Sequence, residues 1–411
     1  MAWTLQEIPD GSITSVPGFK AAGVACGLKK NEALDLALVV SLSPCTAAAV
    51  FTANLFKAAP VLYDRQLVES NPASLRGVAI NAGVANACTG VQGDRDAAQM
   101  ALLAEQAAGC AVGTMAVMST GVIGKKLPMD KIAAGVQAAA ARLSADVAGG
   151  HDAARAIMTT DTRPKQHALY VRLDDGTGFT IAGMAKGSGM IHPNMATLLC
   201  TLTSDARVAP TLAQAALREA VDASLNMVTI DGDTSTNDTA LLLCNGAASM
   251  RSIEEASCEA YMAFRAGLTT LLVDLARDIA RDGEGATRFV EITVRGARSR
   301  QEAKQAAMSV ATSSLVKTAI YGRDANWGRI LCAVGYSGIT FEPARVSLWL
   351  GDLELVRAGE PYDTDEARAS QILDQSDIAI VVDLGQGESA VTVWTSDLSH
   401  DYVSINAHYR T

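Results

Sequence analysis

Hydrophobic and polar positions change period repeatedly along the chain, and each change predicts a switch between strand and helix. Residues 34–42 and 48–51 are apolar and β-prone, and 77–80 lead into the turn-rich run Asn81-Ala-Gly-Val-Ala-Asn-Ala-Cys-Thr-Gly90. Ala-rich stretches with three- and four-residue spacing predict helices over 94–108 and 130–143, with a short strand at 115–121 between them. Strands at 168–173 and 179–184 follow. The pattern then reads strand (198–202), helix (211–225), strand (227–230), loop, strand (240–243). The longest helical candidate, 253–281, is stopped by Asp282-Gly-Glu-Gly285. A strand at 289–294 and a helix over 301–320 come next. From about Ala325, short strands (346–350, 378–382, 390–394) surround one short helix near 364–374. Such alternation, without internal repeats, predicts stacked α and β layers.

Composition narrows the class. At 411 residues the chain is long for one core. Hydrophobic content of 49% with 19% charged residues excludes wholesale disorder. The formal charge of −10 and the lack of a Lys/Arg stripe argue against nucleic acid as a partner. The opening residues do not read as a signal peptide, and no run of about 18 uncharged apolar residues predicts a membrane span. Eight scattered cysteines without a CxxC pair, and five histidines without an HxxxH, predict buried free thiols and no metal site. A soluble, cytoplasmic protein is expected.

Candidate chemistry centres on Lys186-Gly-Ser-Gly-Met-Ile-His-Pro-Asn-Met-Ala-Thr197, a glycine-broken loop feeding an apolar strand. A threonine hydroxyl is a poor nucleophile unless a base takes its proton, and cutting the bond before Thr197 would supply its own α-amine as that base. The bland alternative is a turn that simply begins a strand. Thr120-Gly121 ends a strand where backbone N–H groups could hold an oxyanion, or merely makes a turn. Thr159-Thr160-Asp161-Thr162 suits a polar ligand or a helix end. Lys186 could meet a carboxylate or water. Its Lys-Gly-Ser-Gly order is not the GxxxxGK[ST] of a phosphate loop, and Gly176-Thr-Gly178 lacks a third glycine in register. The loop 231–238 begins like a calcium loop but has Thr236 and Leu242 where Gly and Glu belong. Glu284, between two glycines, suits an ammonium group or a plain loop, and Asn406 and Thr411 close the chain.

Taken together, these blocks closely resemble the ornithine acetyltransferase family, also called glutamate N-acetyltransferase. The resemblance rests on the Lys186–Thr197 stretch, on residues 81–90, Ser119-Thr-Gly121, Met158-Thr-Thr-Asp-Thr162 and 231–239. It extends to Asp282-Gly-Glu-Gly-Ala-Thr287, Ala325-Asn-Trp-Gly-Arg329 and Ile405-Asn-Ala-His-Tyr-Arg-Thr411. It spans the chain in order.

The resemblance implies a self-cleaving enzyme of arginine biosynthesis, cut at Ala196–Thr197 into an α chain (1–196) and a β chain (197–411). The β chain would carry a C-terminal α/β lobe from about 325, and the two chains would associate as a heterotetramer of two each. It implies the layered α-β-β-α sandwich shared with self-processing aminopeptidases, with a smaller C-terminal α/β domain. Thr197 would be the nucleophile, and Thr120 and Gly121 the oxyanion hole. Substrate contacts would fall on Thr160, Lys186, Thr197, Glu284, Asn406 and Thr411. Acetyl would pass from N-acetylornithine to Thr197 and then to glutamate, with no cofactor or metal. Acetyl-CoA as a second donor stays open, as does the general base. The rival reading is a self-processed amidase or aminopeptidase with water as acceptor.

Overall fold

The two apolar stretches at 34–42 and 48–51 form one 16-residue strand that runs through two sheets. The computed structural model describes residues 3–30, 32–192, 198–363 and 365–408. These form two compact units. The first takes in Met1–Gly187, Asn194–Asn226 and Asp233–Leu275, and the second Ser188–Pro193, Met227–Gly232 and Ala276–Thr411.

In the first unit the strands are β1 (Trp3–Glu7), β2 (Phe19–Val24), β3 (Leu36–Phe51), β4 (Leu75–Val84), β5 (Met115–Val122), β6 (Lys165–Leu173), β7 (Gly178–Lys186), β8 (Leu199–Ser204) and β9 (Thr239–Cys244). The helices are α1 (Ala59–Ser70), α2 (Gly90–Ala108), α3 (Met129–Ala141), α4 (Val147–Ala156), α5 (Pro210–Ala223) and most of α6 (Glu259–Arg281). Strand order is β1-β6-β7-β8-β9-β3-β4-β5, with β2 on β3. The register of β3 shifts between Val40 and Cys45, so its first half pairs with β2 and β4 and its second half with β9. A strand irregularity of this kind bends the chain from one sheet into the next.

Alternating residues of β3 explain the layering. Ala37 and Val39 face a buried core shared with Met184, Leu199, Leu241 and Leu243 from the other sheet. Leu36 and Leu38 face a second core with Met100, Ile132 and Val136 of α2 and α3. On the far face, Gly183 of β7 leaves room for Leu271 and Leu275 of α6, whose side chains would lie 3.1 Å from a Cβ there. Helix, sheet, sheet, helix is the resulting order, as the resemblance implies.

The second unit has β10 (Phe289–Ala297), α7 (Arg300–Ala311), α8 (Ser314–Tyr321), α9 (Trp327–Gly335), β11 (Ser347–Leu350), β12 (Leu353–Arg357), β13 (Glu360–Pro361), α10 (Glu366–Leu373), β14 (Asp377–Asp383), β15 (Ser389–Ser396) and α11 (His400–Ala407). Its sheet runs β13-β12-β11-β14-β10-β15. Because β10 sits between β14 and β15, this unit starts well before residue 325.

Several expected elements differ. The helix expected over 253–281 starts at Glu259. The helix expected over 301–320 is two, since Ser313 accepts the Val316 N–H and caps a new start. No strand forms at 227–230; a 3-10 turn (Leu225–Met227) and a single bridge from Val228 to Trp394 stand there. The thiols are free, yet only Cys45, Cys200 and Cys244 are buried, while Cys88 and Cys332 are exposed. No described helix is long and apolar enough to cross a membrane.

Candidate active site

In the first unit, the chemistry gathers where β5 breaks. Gly121 has φ +127°, and a Cβ there would lie 2.3 Å from the Gly83 carbonyl carbon on β4. Only glycine fits, for backbone angle and for space. Thr120, beside it, is buried, and the Lys186 Nζ at the end of β7 donates to its Oγ1 at 3.3 Å. Lys186 is itself 3% exposed. A buried ammonium next to a strained strand end is a ready partner for anionic groups.

Charge around this lysine is set by the turn after α4. Asp161 accepts Lys165 Nζ at 2.6 Å, the Gly187 N–H at 2.8 Å and the Thr159 N–H at 2.9 Å. Burial alone would raise its carboxyl, but the ammonium groups of Lys165 and Lys186 and these hydrogen bonds outweigh it and hold it below the ordinary carboxylate range. Thr160 sits between Thr159 and Asp161, half-buried. Lys29 donates to the carbonyls of Leu34 and Ala156 at 2.6 and 3.0 Å. Burial lowers its pKa to about 8, against the pull of Asp35 and Asp161.

The loop that enters β9 supplies two further groups. Asn237 Nδ2 donates to the carbonyls of Ala85 (2.7 Å) and Ser119 (2.8 Å). Asp238 Oδ1 accepts the Leu198 N–H at 2.9 Å, at the entrance to β8.

In the second unit, Glu284 and Asn406 come together. Asn406 Nδ2 donates to Glu284 Oε2 at 2.8 Å, and Glu284 is 7% exposed. The Glu284 N–H donates to the Ser188 carbonyl at 2.8 Å, and Ser188 Oγ donates to the Asp282 carbonyl at 2.6 Å. Asp231 accepts the N–H groups of Met190 (2.5 Å) and Ile191 (2.9 Å), and Tyr402 Oη donates to it at 3.3 Å. The segment 188–192 is thus held from both sides.

Of the sequence candidates, Thr120, Gly121 and Lys186 converge in the first unit, with Thr160 on the turn beside Asp161. Glu284 and Asn406 converge in the second. Ala196, Thr197 and Thr411 lie outside the described residues. Sequence reasoning missed Lys29 and Lys165 as site residues and named Asn237 and Asp238 only as part of a polar loop that could line a site. The signal for the last two was the polar run 231–238, set among apolar strands and left without a role. Among the described residues no group of three or more His, Cys, Asp or Glu is arranged to hold a metal ion.

Comparison with known proteins gives a consistent answer. Residues 20–411 match the model of the ArgJ family. The chain is 53% identical over 403 residues to the arginine biosynthesis bifunctional protein ArgJ of Symbiobacterium thermophilum, covering 98% of this chain and 99% of that one. It is 47% identical to the mitochondrial arginine biosynthesis bifunctional protein ArgJ of Yarrowia lipolytica, covering 96% and 94%. A solved structure of ornithine acetyltransferase from Mycobacterium tuberculosis, complexed with ornithine, is 42% identical over 47% of this chain and 100% of that one, with a TM-score of 0.43. Matched along nearly its full length, the chain belongs to the ArgJ family.

Proposed function

We propose that this chain is the acetyltransferase of arginine biosynthesis that moves acetyl from N-acetylornithine to glutamate through an ester on Thr197. Thr197 Oγ attacks the acetyl carbonyl, the amide C–N bond breaks, and ornithine leaves carrying the proton. The neutral α-amine of glutamate then attacks the ester, releasing N-acetylglutamate and the free hydroxyl. Splitting one amide exchange into two acyl transfers lowers each barrier. Backbone N–H and hydroxyl groups at Thr120-Gly121 stabilise the oxyanion in both steps. Lys186 receives the substrate α-carboxylate together with Thr160. Glu284, oriented by Asn406, meets the ammonium, and Thr411 completes the contacts.

The observation that carries this reading is the buried Lys186 Nζ at 3.3 Å from Thr120 Oγ1, beside a glycine no other residue can replace. Membership of the ArgJ family supports it.

Self-cleavage at Ala196–Thr197 gives pieces of 196 and 411 − 196 = 215 residues. Strand pairing supports their staying together. Ile181–Lys186 of β7 pairs with Leu199–Ser204 of β8, and Thr46–Phe51 of β3 with Thr239–Cys244 of β9, so each piece supplies neighbours to the other. Two copies of each piece form the heterotetramer, and the cytoplasm is its compartment, which eight free cysteines support.

Incubating purified protein with N-acetylornithine, with and without glutamate, tests the reading. N-acetylglutamate must form in proportion to glutamate. Equal acetate release in both arms would point to water as acceptor instead. An arm with acetyl-CoA and glutamate alone asks whether the same ester is loaded from a thioester.

A further inference from the structure

Asn237 and Asp238 are neighbours in one buried loop, 5% and 0% exposed, and they reach in two directions. The Asn237 carboxamide donates to the Ser119 carbonyl, which belongs to the peptide unit that carries the Thr120 N–H. Its second donor goes to the Ala85 carbonyl, just past β4, whose Gly83 faces Gly121. Asn237 Oδ1 accepts Thr236 Oγ1 at 2.6 Å and its N–H donates to Ser235 Oγ at 3.0 Å, so the side chain has one orientation. Asp238 turns the other way. Its Oδ1 accepts the Leu198 N–H, the amide joined directly to residue 197. The Leu198 carbonyl in turn accepts the Thr239 N–H at 3.2 Å, and the Thr52 N–H donates to the Asp238 carbonyl at 3.0 Å.

Asp238 is poorly suited to a purely structural post. Its Oδ2 has no hydrogen-bond partner among the described residues. Burial holds the carboxyl well above the ordinary carboxylate range, against the Leu198 N–H, the charge of Lys186 and the hydroxyls of Thr52 and Ser235. A buried carboxyl oxygen without a hydrogen-bond partner is destabilising.

We propose that Asn237 and Asp238 form a paired positioning device for acyl transfer: one side chain fixes the peptide that presents Thr120 and Gly121, the other fixes the amide that leaves residue 197. One dipeptide thereby sets the spacing between the oxyanion donors and the entrance to the nucleophile-bearing strand. The run 231–238, which the calcium-loop comparison leaves unexplained, gains a role. The inference rests on the proposed assignment of Thr197 and of Thr120-Gly121. A misplacement of about 1 Å between reacting groups costs on the order of 10²-fold in rate, so the device acts on turnover, not on substrate affinity.

Four variants of the full chain test it: Asn237→Asp, which keeps the shape and loses both donors, Asn237→Thr, which keeps one, Asp238→Asn and Asp238→Ala. The readouts are kcat and KM for N-acetylornithine and glutamate, and the time course of self-cleavage on denaturing gels. Asn237→Asp and Asp238→Ala are expected to lower kcat by about 10²-fold with KM within about 3-fold, slowing self-cleavage in parallel. Asp238→Asn, whose amide oxygen still accepts the Leu198 N–H, keeps kcat within about 3-fold. If Asn237→Asp does not fold, Asn237→Thr must lower kcat with KM within about 3-fold of wild type. Folded variants of Asn237 and Asp238→Ala with wild-type kcat overturn the proposal, as does a change confined to KM. Thr197→Ala run alongside separates the two failures: residual exchange in that variant sinks the underlying assignment, whereas an inactive Thr197→Ala beside active Asn237 and Asp238 variants sinks only the positioning device.

Discussion

Lys186 at the end of β7 donates to the hydroxyl of Thr120 on β5, 66 residues away in sequence, at 3.3 Å, and both residues are buried. Replacing Lys186 with Met removes a charge-assisted hydrogen bond to an anionic substrate, an interaction of about 1.5–3 kcal/mol. We expect kcat/KM for N-acetylornithine to fall about 10- to 100-fold. Lys186→Arg should not restore it, since a planar guanidinium does not fit the post of a buried point charge. Steady-state kinetics on the two variants check this.

Asp161 neutralises two buried ammonium groups, and its side chain and that of Lys165 are both fully shielded. Asp161→Asn is therefore expected to cost about 3–5 kcal/mol of stability. The pH dependence has a definite sign. Because the folded carboxyl titrates below its ordinary value of 3.8, its contribution is fully present above pH 4 and is lost as pH falls through the folded value. Denaturant melts between pH 7 and 3 should show the variant closing its gap to wild type only below about pH 4.

Gly121→Ala places a methyl group 2.3 Å from the Gly83 carbonyl carbon and strains a φ of +127°. The β4–β5 backbone must part, taking the oxyanion donors with it. Loss of such a donor typically lowers turnover about 10²–10³-fold. A kcat within threefold of wild type would remove Thr120-Gly121 from the site.

Gly189 offers a test in the second unit that leaves Glu284 chemically intact. A Cβ on Gly189 would lie 2.3 Å from Glu284 Oε2, so Gly189→Ala must displace the carboxylate that Asn406 holds. We expect the variant to raise KM for glutamate about 10-fold, resembling Glu284→Gln in direction. Steady-state kinetics with glutamate varied at saturating N-acetylornithine measure this.

Much of the layering was legible in the hydrophobic period. The strands 168–173 and 179–184 fall within β6 and β7, and the Ala-rich helix 94–108 falls within α2, while that over 130–143 runs two residues past the end of α3. The single strand β3 was not legible as one element. Ser43 and Pro44 interrupt its apolar pattern where its register shifts, and only pairing with β4 and β9 shows that the chain continues. Helix α1 also escaped, although Pro60 in its first turn was a start signal. The site divides in the same way. Lys186, Thr120-Gly121 and Glu284 stood out by residue type beside glycines. Asn237 and Asp238 act through contacts with residues 118, 152 and 40 positions away, which no local pattern records.

The central claim is that one hydroxyl both parts the chain and carries the acetyl group. Thr197→Ala, purified and run on a denaturing gel and then assayed for exchange between N-acetylornithine and glutamate, addresses it directly. The account predicts one full-length band of about 43 kDa where wild type gives two near half that mass, and no N-acetylglutamate above background. Acetyl exchange by the uncut variant would contradict it.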